Sequence, residues 1–180
     1  LRRWEVDVAM VQETNLRQGE VVSVPDFSGL FEARAQHRAA NPSHSDGVAV
    51  LVRHGLPHRR LDGLDLPPGA ALESLAVEVC APGAPAVKLL NVYRPPVRGG
   101  VGDARDGSLH LGSWPVGRDW LVFADANGHG YWDPAREPDE VGEVLEDWLD
   151  GEGWACLNSG VTTILPSGTS SSPNVTLGHS

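Results

Sequence analysis

The chain is predicted to fold as an α/β sandwich of mostly antiparallel sheets, and three observations predict it. Short apolar or alternating runs recur along the sequence at strand length. The 21 Gly and 14 Pro among 180 residues punctuate those runs with turns and long surface loops. One stretch, Val141, Val144, Leu145, Trp148 and Leu149, carries apolar residues at clear helical spacing. No internal repeat or linker divides the chain, and its length suits one domain with a sizeable core.

Taken in order, Val6 to Glu13 reads as a buried strand ending in a carboxylate. Phe27 to Gln36 and Gly47 to Val52 are strand-like, with the polar loop "HRAANPSHSDG" between them. Leu72 to Val79 alternates as a half-exposed strand. Ala86 to Tyr93 forms the return arm of a hairpin across "APGAP", and Pro95-Pro96 stops it. Residues 94–117 read as a long mobile loop. Trp120 to Ala124 is an apolar strand that runs into Asp125. Asp139 is placed to cap the helix that follows, and Gly151 and Gly153 to end it. Trp154 to Leu157, Val161 to Leu165 and Val175 to Leu177 are short strands around polar turns.

Composition narrows the function. A formal charge of −10 argues against a non-specific nucleic-acid binder with a large footprint, because neutralising phosphate supplies most of such affinity. A metal-dependent nuclease stays open, since its site needs carboxylates and the ion brings the positive charge. Local positives at Arg2-Arg3, Arg34 with His37-Arg38, His58-Arg59-Arg60, and Arg94 with Arg98 either line one edge or are scattered solvated charges. Cys80 and Cys156 lie in apolar segments and read as free thiols of a reducing compartment, with no zinc-like spacing. No run reaches membrane-span length and no basic-then-apolar leader opens the chain, so a soluble intracellular protein, or a piece of one, is expected.

Three strand ends deliver polar side chains: Glu13, Tyr93, and the group Asp125, Asn127 and His129. If the last strand continues, the three residues of that group share a face; if it breaks, they converge at the mouth of a turn. A strand-end carboxylate suits Mg²⁺, an Asp can orient or deprotonate a water, and an Asn amide can donate to a phosphoryl oxygen. Each residue alone has a plainer reading. Glu13 could be an ion pair or cap, Tyr93 a packed ring, and Asp125-Ala126-Asn127-Gly128 an ordinary turn.

Together and in order, these segments resemble the endonuclease/exonuclease/phosphatase superfamily. "DVAMVQET" resembles its Gln-Glu-Thr strand end, "LLNVYRPP" its Asn-Val-Tyr-x-Pro-Pro strand end, and "VFADANGHGYWD" its Gly-Asp-Phe-Asn-Ala-His-His segment. "LEDWLDGEGWACLNSGVTT" followed by "SSPNVTL" is similar to the apurinic-endonuclease-like domain of non-LTR (LINE-type) retrotransposons, including those of trypanosomatids. The resemblance implies a DNase I-like, four-layer α/β/β/α sandwich flanked by helices, over residues 1–180. It implies Mg²⁺ (or Mn²⁺) as cofactor, DNA as substrate, a nuclear location and a reverse transcriptase domain in the same full-length protein, with no membrane. Glu13 matches the metal ligand, Asp125 the water-activating Asp, and Asn127 the phosphate-holding Asn. Tyr93 matches a phosphate-binding Tyr and His129 a recurrent His beside the site, while Arg94 is expected to bind substrate.

Departures from the pattern lower the expected activity. The sequence reads as lacking the family's first strand and its last, Ser-Asp-His strand. Asn174 stands where the family has the Asp that orients the His. Ala124 and Ala126 replace Gly and Phe, which is expected to tighten the approach to the site and to remove core packing. The chain is therefore expected to cleave DNA weakly or not at all. A non-catalytic copy of the same fold and a phosphatase or phosphodiesterase of the same superfamily are the alternatives.

Overall fold

The computed structural model describes residues 5–17, 19–32, 47–67, 70, 72–95, 109–115, 117–158, 163–164, 170–171 and 174–179. Two sheets pack face to face. The smaller contains β1 (Val8–Val11), β2 (Phe27–Glu32) and β3 (Val48–Arg53), in the order β1-β3-β2 and all antiparallel. The larger contains β4 (His58–Leu61), β5 (Glu73–Val79), β6 (Val87–Tyr93), β7 (Trp120–Asp125), β8 (Trp154–Cys156) and β11 (Asn174–His179), in the order β4-β5-β6-β7-β11-β8. Within it only β6 and β7 run parallel. A separate two-stranded pair joins β9 (Thr163–Ile164) to β10 (Ser170–Ser171).

Alternation along β6 explains how the layers hold together. Leu89 and Tyr93 face the smaller sheet and pack with Val48, Val50, Val52, Leu75 and Val77. Leu90 and Val92 face the other way, into a second core with Val122, Ala124, Val175, Leu177 and the helix α1 (Glu140–Glu152). A strand buried on both faces reads as a near-continuous apolar run, and "VKLLNV" does so apart from Lys88 and Asn91. Asn91 is fully buried, and its amide answers for itself by joining the sheets. It donates to Val11 O of β1 (3.0 Å) and Ala49 O of β3 (2.9 Å) and accepts from Gln12 (2.5 Å). A buried amide satisfied in this way fixes register, because sliding either sheet would strand its donors.

The helix begins and ends as its sequence predicts. Asp139 caps it, accepting from Gly142 N at 2.9 Å, and Gly153 ends it in the left-handed conformation. Gly151, expected to help end it, lies inside it. Leu145 and Leu149 are buried, whereas Val144 is exposed.

Among the described residues the helix α1 covers one outer face of the paired sheets. Several expectations are corrected. The sequence His58-Arg59-Arg60-Leu61 is an edge strand, β4, and its arginines do not form a free basic edge. Arg59 pairs with Glu78 (2.6 Å) and Arg60 with Glu32. Arg2, Arg3, Arg34, His37, Arg38 and Arg98 lie outside the described residues. The expected strand from Phe27 is described as far as Glu32, and 33–36 lie outside the described residues. The end of the expected 94–117 loop is packed rather than free: Leu109 and Trp114 are buried, and the Trp114 indole donates to Leu109 O (2.7 Å). The rest of that loop, 96–108, lies outside the described residues. Cys80 and Cys156 are free and half-buried. Among the described residues no helix is long and apolar enough to cross a membrane.

Candidate active site

Three strand ends meet at one place. In the parallel ladder Tyr93 is the register partner of Asp125, so the last residues of β6 and β7 lie side by side. Both belong to the alternation that faces the smaller sheet. Two residues past the end of β1, Glu13 meets them from the other side, and the Tyr93 hydroxyl donates to Glu13 Oε1 at 2.7 Å. The anchoring of Val11 O by Asn91 is what brings the end of β1 to this point.

Glu13 holds a left-handed backbone conformation (φ 54°), unfavourable for a side chain of its type. Its neighbours enforce it. Asn15 donates to Glu13 O (2.9 Å), and Thr14 N donates to Gly47 O (3.0 Å). Gly47 is itself left-handed, a Cβ there would overlap the Thr14 hydroxyl, and its N–H donates to Glu73 (2.7 Å). Glu73 is the cross-strand partner of Tyr93 and is buried, so this bracket ties the Glu13 turn to the floor of the site. Strain that the surroundings impose at a strand end is a recurrent mark of functional sites.

Past β7 the chain turns instead of continuing. Asn127 is left-handed (φ 45°) and its N–H donates to the Asp125 carboxylate (3.2 Å). Its side-chain amide donates to Arg94 O (2.7 Å), while Arg94 N donates to Asp125 O (2.9 Å). Arg94 is 4% exposed, and its guanidinium donates to Ala126 O (3.2 Å) and Asn127 O (3.5 Å). The expected substrate contact of Arg94 is thus corrected: its charge is turned inward on the loop's carbonyls, where it fixes the Asp125–Asn127 turn. Burial lowers the Arg94 pKa, and Asp139 opposes that shift.

Electrostatics at the site follow from burial. The Asp125 carboxyl is raised above its usual range first by desolvation and further by the Glu13 charge, against the Asn127 N–H bond that lowers it. The Tyr93 hydroxyl is pushed far up, chiefly by burial and then by donating to Glu13, so it stays a donor throughout the physiological range.

His129 sits further round the same loop. Its Nδ1 lies 2.8 Å from Asp133, whose side chain is fully buried, and its Nε2 lies 3.5 Å from Arg136. Among the described residues, Glu13, Tyr93, Asp125 and Asn127 come together and His129 lies on the rim. Asn174 is the register partner of Asp125 in the β7–β11 ladder. Ala124 packs into the helix-side core, so its methyl does not tighten the site, while Ala126 is fully buried in that same core. Sequence reasoning missed Glu73, Asp133 and Arg136. Only Glu73 left a signal, an acidic residue at the first position of an otherwise apolar strand.

The two packed sheets with the helix on one outer face make a DNase I-like fold. In particular, the chain is similar in structure to the endonuclease domain of TRAS1, a telomere-specific non-LTR retrotransposon, with a TM-score of 0.62 and 18% identity, covering 99% of this chain and 75% of that one. It is also similar to the human Nocturnin catalytic domain, with a TM-score of 0.57 and 12% identity, covering 98% and 70%. No family model and no curated protein sequence matches the chain.

Proposed function

We propose that the chain is a divalent-metal-dependent endonuclease of the retrotransposon type, which nicks DNA by phosphodiester hydrolysis. The observation that carries this reading is the Tyr93–Glu13 hydrogen bond with Asp125 in register beside Tyr93, which sets two carboxylates against one wall. Likeness to the TRAS1 endonuclease domain favours DNA over other phosphodiesters. The same reading implies a reverse transcriptase domain in the full-length protein and a nuclear site of action.

Mg²⁺ or Mn²⁺ is the cofactor this reading requires. Among the described residues no group of three or more His, Cys, Asp or Glu forms a closed cage. The donor set nonetheless fits Mg²⁺, which takes one or two carboxylates, keeps several waters and completes its shell with substrate phosphate. Glu13 and Asp125 would hold it, since the Glu13 charge already disfavours ionised Asp125 and a cation relieves that repulsion. When bound, the ion supplies positive charge to the phosphate oxygens. Asp125 would orient a water and accept its proton. Asn127 has one amide N–H on Arg94 O and a second for a phosphoryl oxygen. Tyr93 holds the Glu13 carboxyl in place.

The test is nicking of supercoiled plasmid with Mg²⁺. Slow conversion to open circle that EDTA abolishes is expected. Nicking that survives EDTA would contradict the mechanism. Asn174 opposite Asp125 favours a second reading, a non-catalytic copy of the fold, for which the expected result is no nicking at any protein concentration.

A further inference from the structure

An acidic chain that takes a polyanion must place its few cations carefully, and most of those described here are committed. Arg17, Arg53, Arg59, Arg60 and Lys88 each have a carboxylate partner, and Arg94 is buried within the loop it holds. Among the described residues Arg118 and Arg136 have no carboxylate within ion-pair distance. Arg118 sits just before β7, at the end of that strand opposite Asp125. Arg136 is exposed and stands against His129, in the loop that carries Asp125 and Asn127.

That loop is built rather than loose. His129 O accepts from Asp139 N (2.9 Å), and Asp133 N donates to Gly130 O (2.8 Å). A Cβ on Gly128 would run into Val141, and one on Gly130 into Trp132 and Glu146, so the turn lies directly on α1. Buried Asp133 takes the Nδ1 side of the His129 ring, as an acceptor that fixes the proton there. Nε2 is left facing the exposed guanidinium.

We propose that the guanidinium of Arg136, set against the Nε2 edge of His129, forms a seat for one backbone phosphate of the nucleic acid, adjoining the phosphate engaged at Asp125 and Asn127. This inference rests on the nuclease reading above. A guanidinium offers a planar fork of donors matched to phosphate, and Asp133 behind the ring fixes the imidazole against which Arg136 stands. Arg136 is then the substrate contact, and His129 and Asp133 are positioning residues.

The experiment is fluorescence anisotropy of a labelled DNA duplex in EDTA, across a salt series, so that cleavage plays no part. Wild-type chain is expected to bind with affinity that falls as salt rises. Arg136→Ala is expected to weaken binding several-fold and to lower the salt slope by about 0.9, the loss of one phosphate contact. His129→Asn, which keeps an amide toward Asp133 but drops the Nε2 edge, is expected to weaken binding as well. Arg118→Ala is expected to leave affinity and slope near wild type. Unchanged binding in Arg136→Ala, or an equal loss in Arg118→Ala, overturns the seat and leaves the nuclease reading intact. A wild-type chain that binds no duplex overturns both. Arg136 is exposed, so its variants keep the fold and decide the matter if His129→Asn does not.

Discussion

Gly142→Ala should destabilise the protein by about 2 kcal/mol, although glycine-to-alanine inside a helix ordinarily stabilises by up to ~1 kcal/mol. A methyl at Gly142 would overlap the carbonyl oxygen and carbon of His129. That carbonyl cannot step aside, because it accepts the Asp139 N–H at the helix cap. The helix must tilt off the sheet or the His129 turn must move, and either change disturbs the Asp125–Asn127 loop. Gly151→Ala on the same helix is the internal control: a Cβ there meets nothing. Thermal melts should show the first variant falling by roughly 4–8 °C and the second holding or rising, given about 2–4 °C per kcal/mol for a domain of this size. A Gly142→Ala protein as stable as Gly151→Ala would mean that α1 does not seat on the loop as described.

Asp125→Asn should remove nicking and, at neutral pH, make the protein more stable. Loss of a general base typically lowers a rate by ~10²–10⁴-fold, and an amide cannot accept the proton. The gain in stability follows from the raised Asp125 pKa, whose largest cause is burial. A carboxyl raised in the folded state binds its proton more tightly there than in the unfolded chain. Its contribution to stability is full below the unfolded value of about 3.9 and is lost as pH rises through the folded value. The variant lacks this loss, so it should exceed wild type in stability at pH 7, with the gap closing near pH 4. Melts of both proteins at the two pH values check the stability, and plasmid nicking by the variant checks the loss of activity.

Much of this site could be read from residue order because strand ends are where patterning changes abruptly. An apolar run meeting a carboxylate at Glu13, Tyr93 before Pro-Pro, and "VFADAN" each mark such a change, and the three meet in space. What the sequence concealed is physical as well. β4 has no apolar alternation because it is an edge strand, and ion pairs to Glu78 and Glu32 stabilise its arginines. The parallel pairing of β6 with β7 is set across a crossover from Tyr93 to Trp120 whose polar composition carries no pairing signal. Arg94 looked like a substrate cation because its inward turn depends on the carbonyls of a loop 32 residues away. Asp133 and Arg136 sit in a Pro-rich turn, where an acidic or basic residue is unremarkable until the fold sets it beside His129.

Glu13 and Asp125 are proposed to form one divalent-cation site together at the end of the sheet. Thermal midpoints across a Mg²⁺ titration at constant ionic strength test it without requiring turnover. Binding to the folded state alone should raise the wild-type midpoint progressively, by RT ln(1 + [Mg²⁺]/Kd) in free energy. Glu13→Gln and Asp125→Asn should each abolish that rise. A wild-type midpoint that ignores Mg²⁺, or a rise that survives in either variant, would contradict the account.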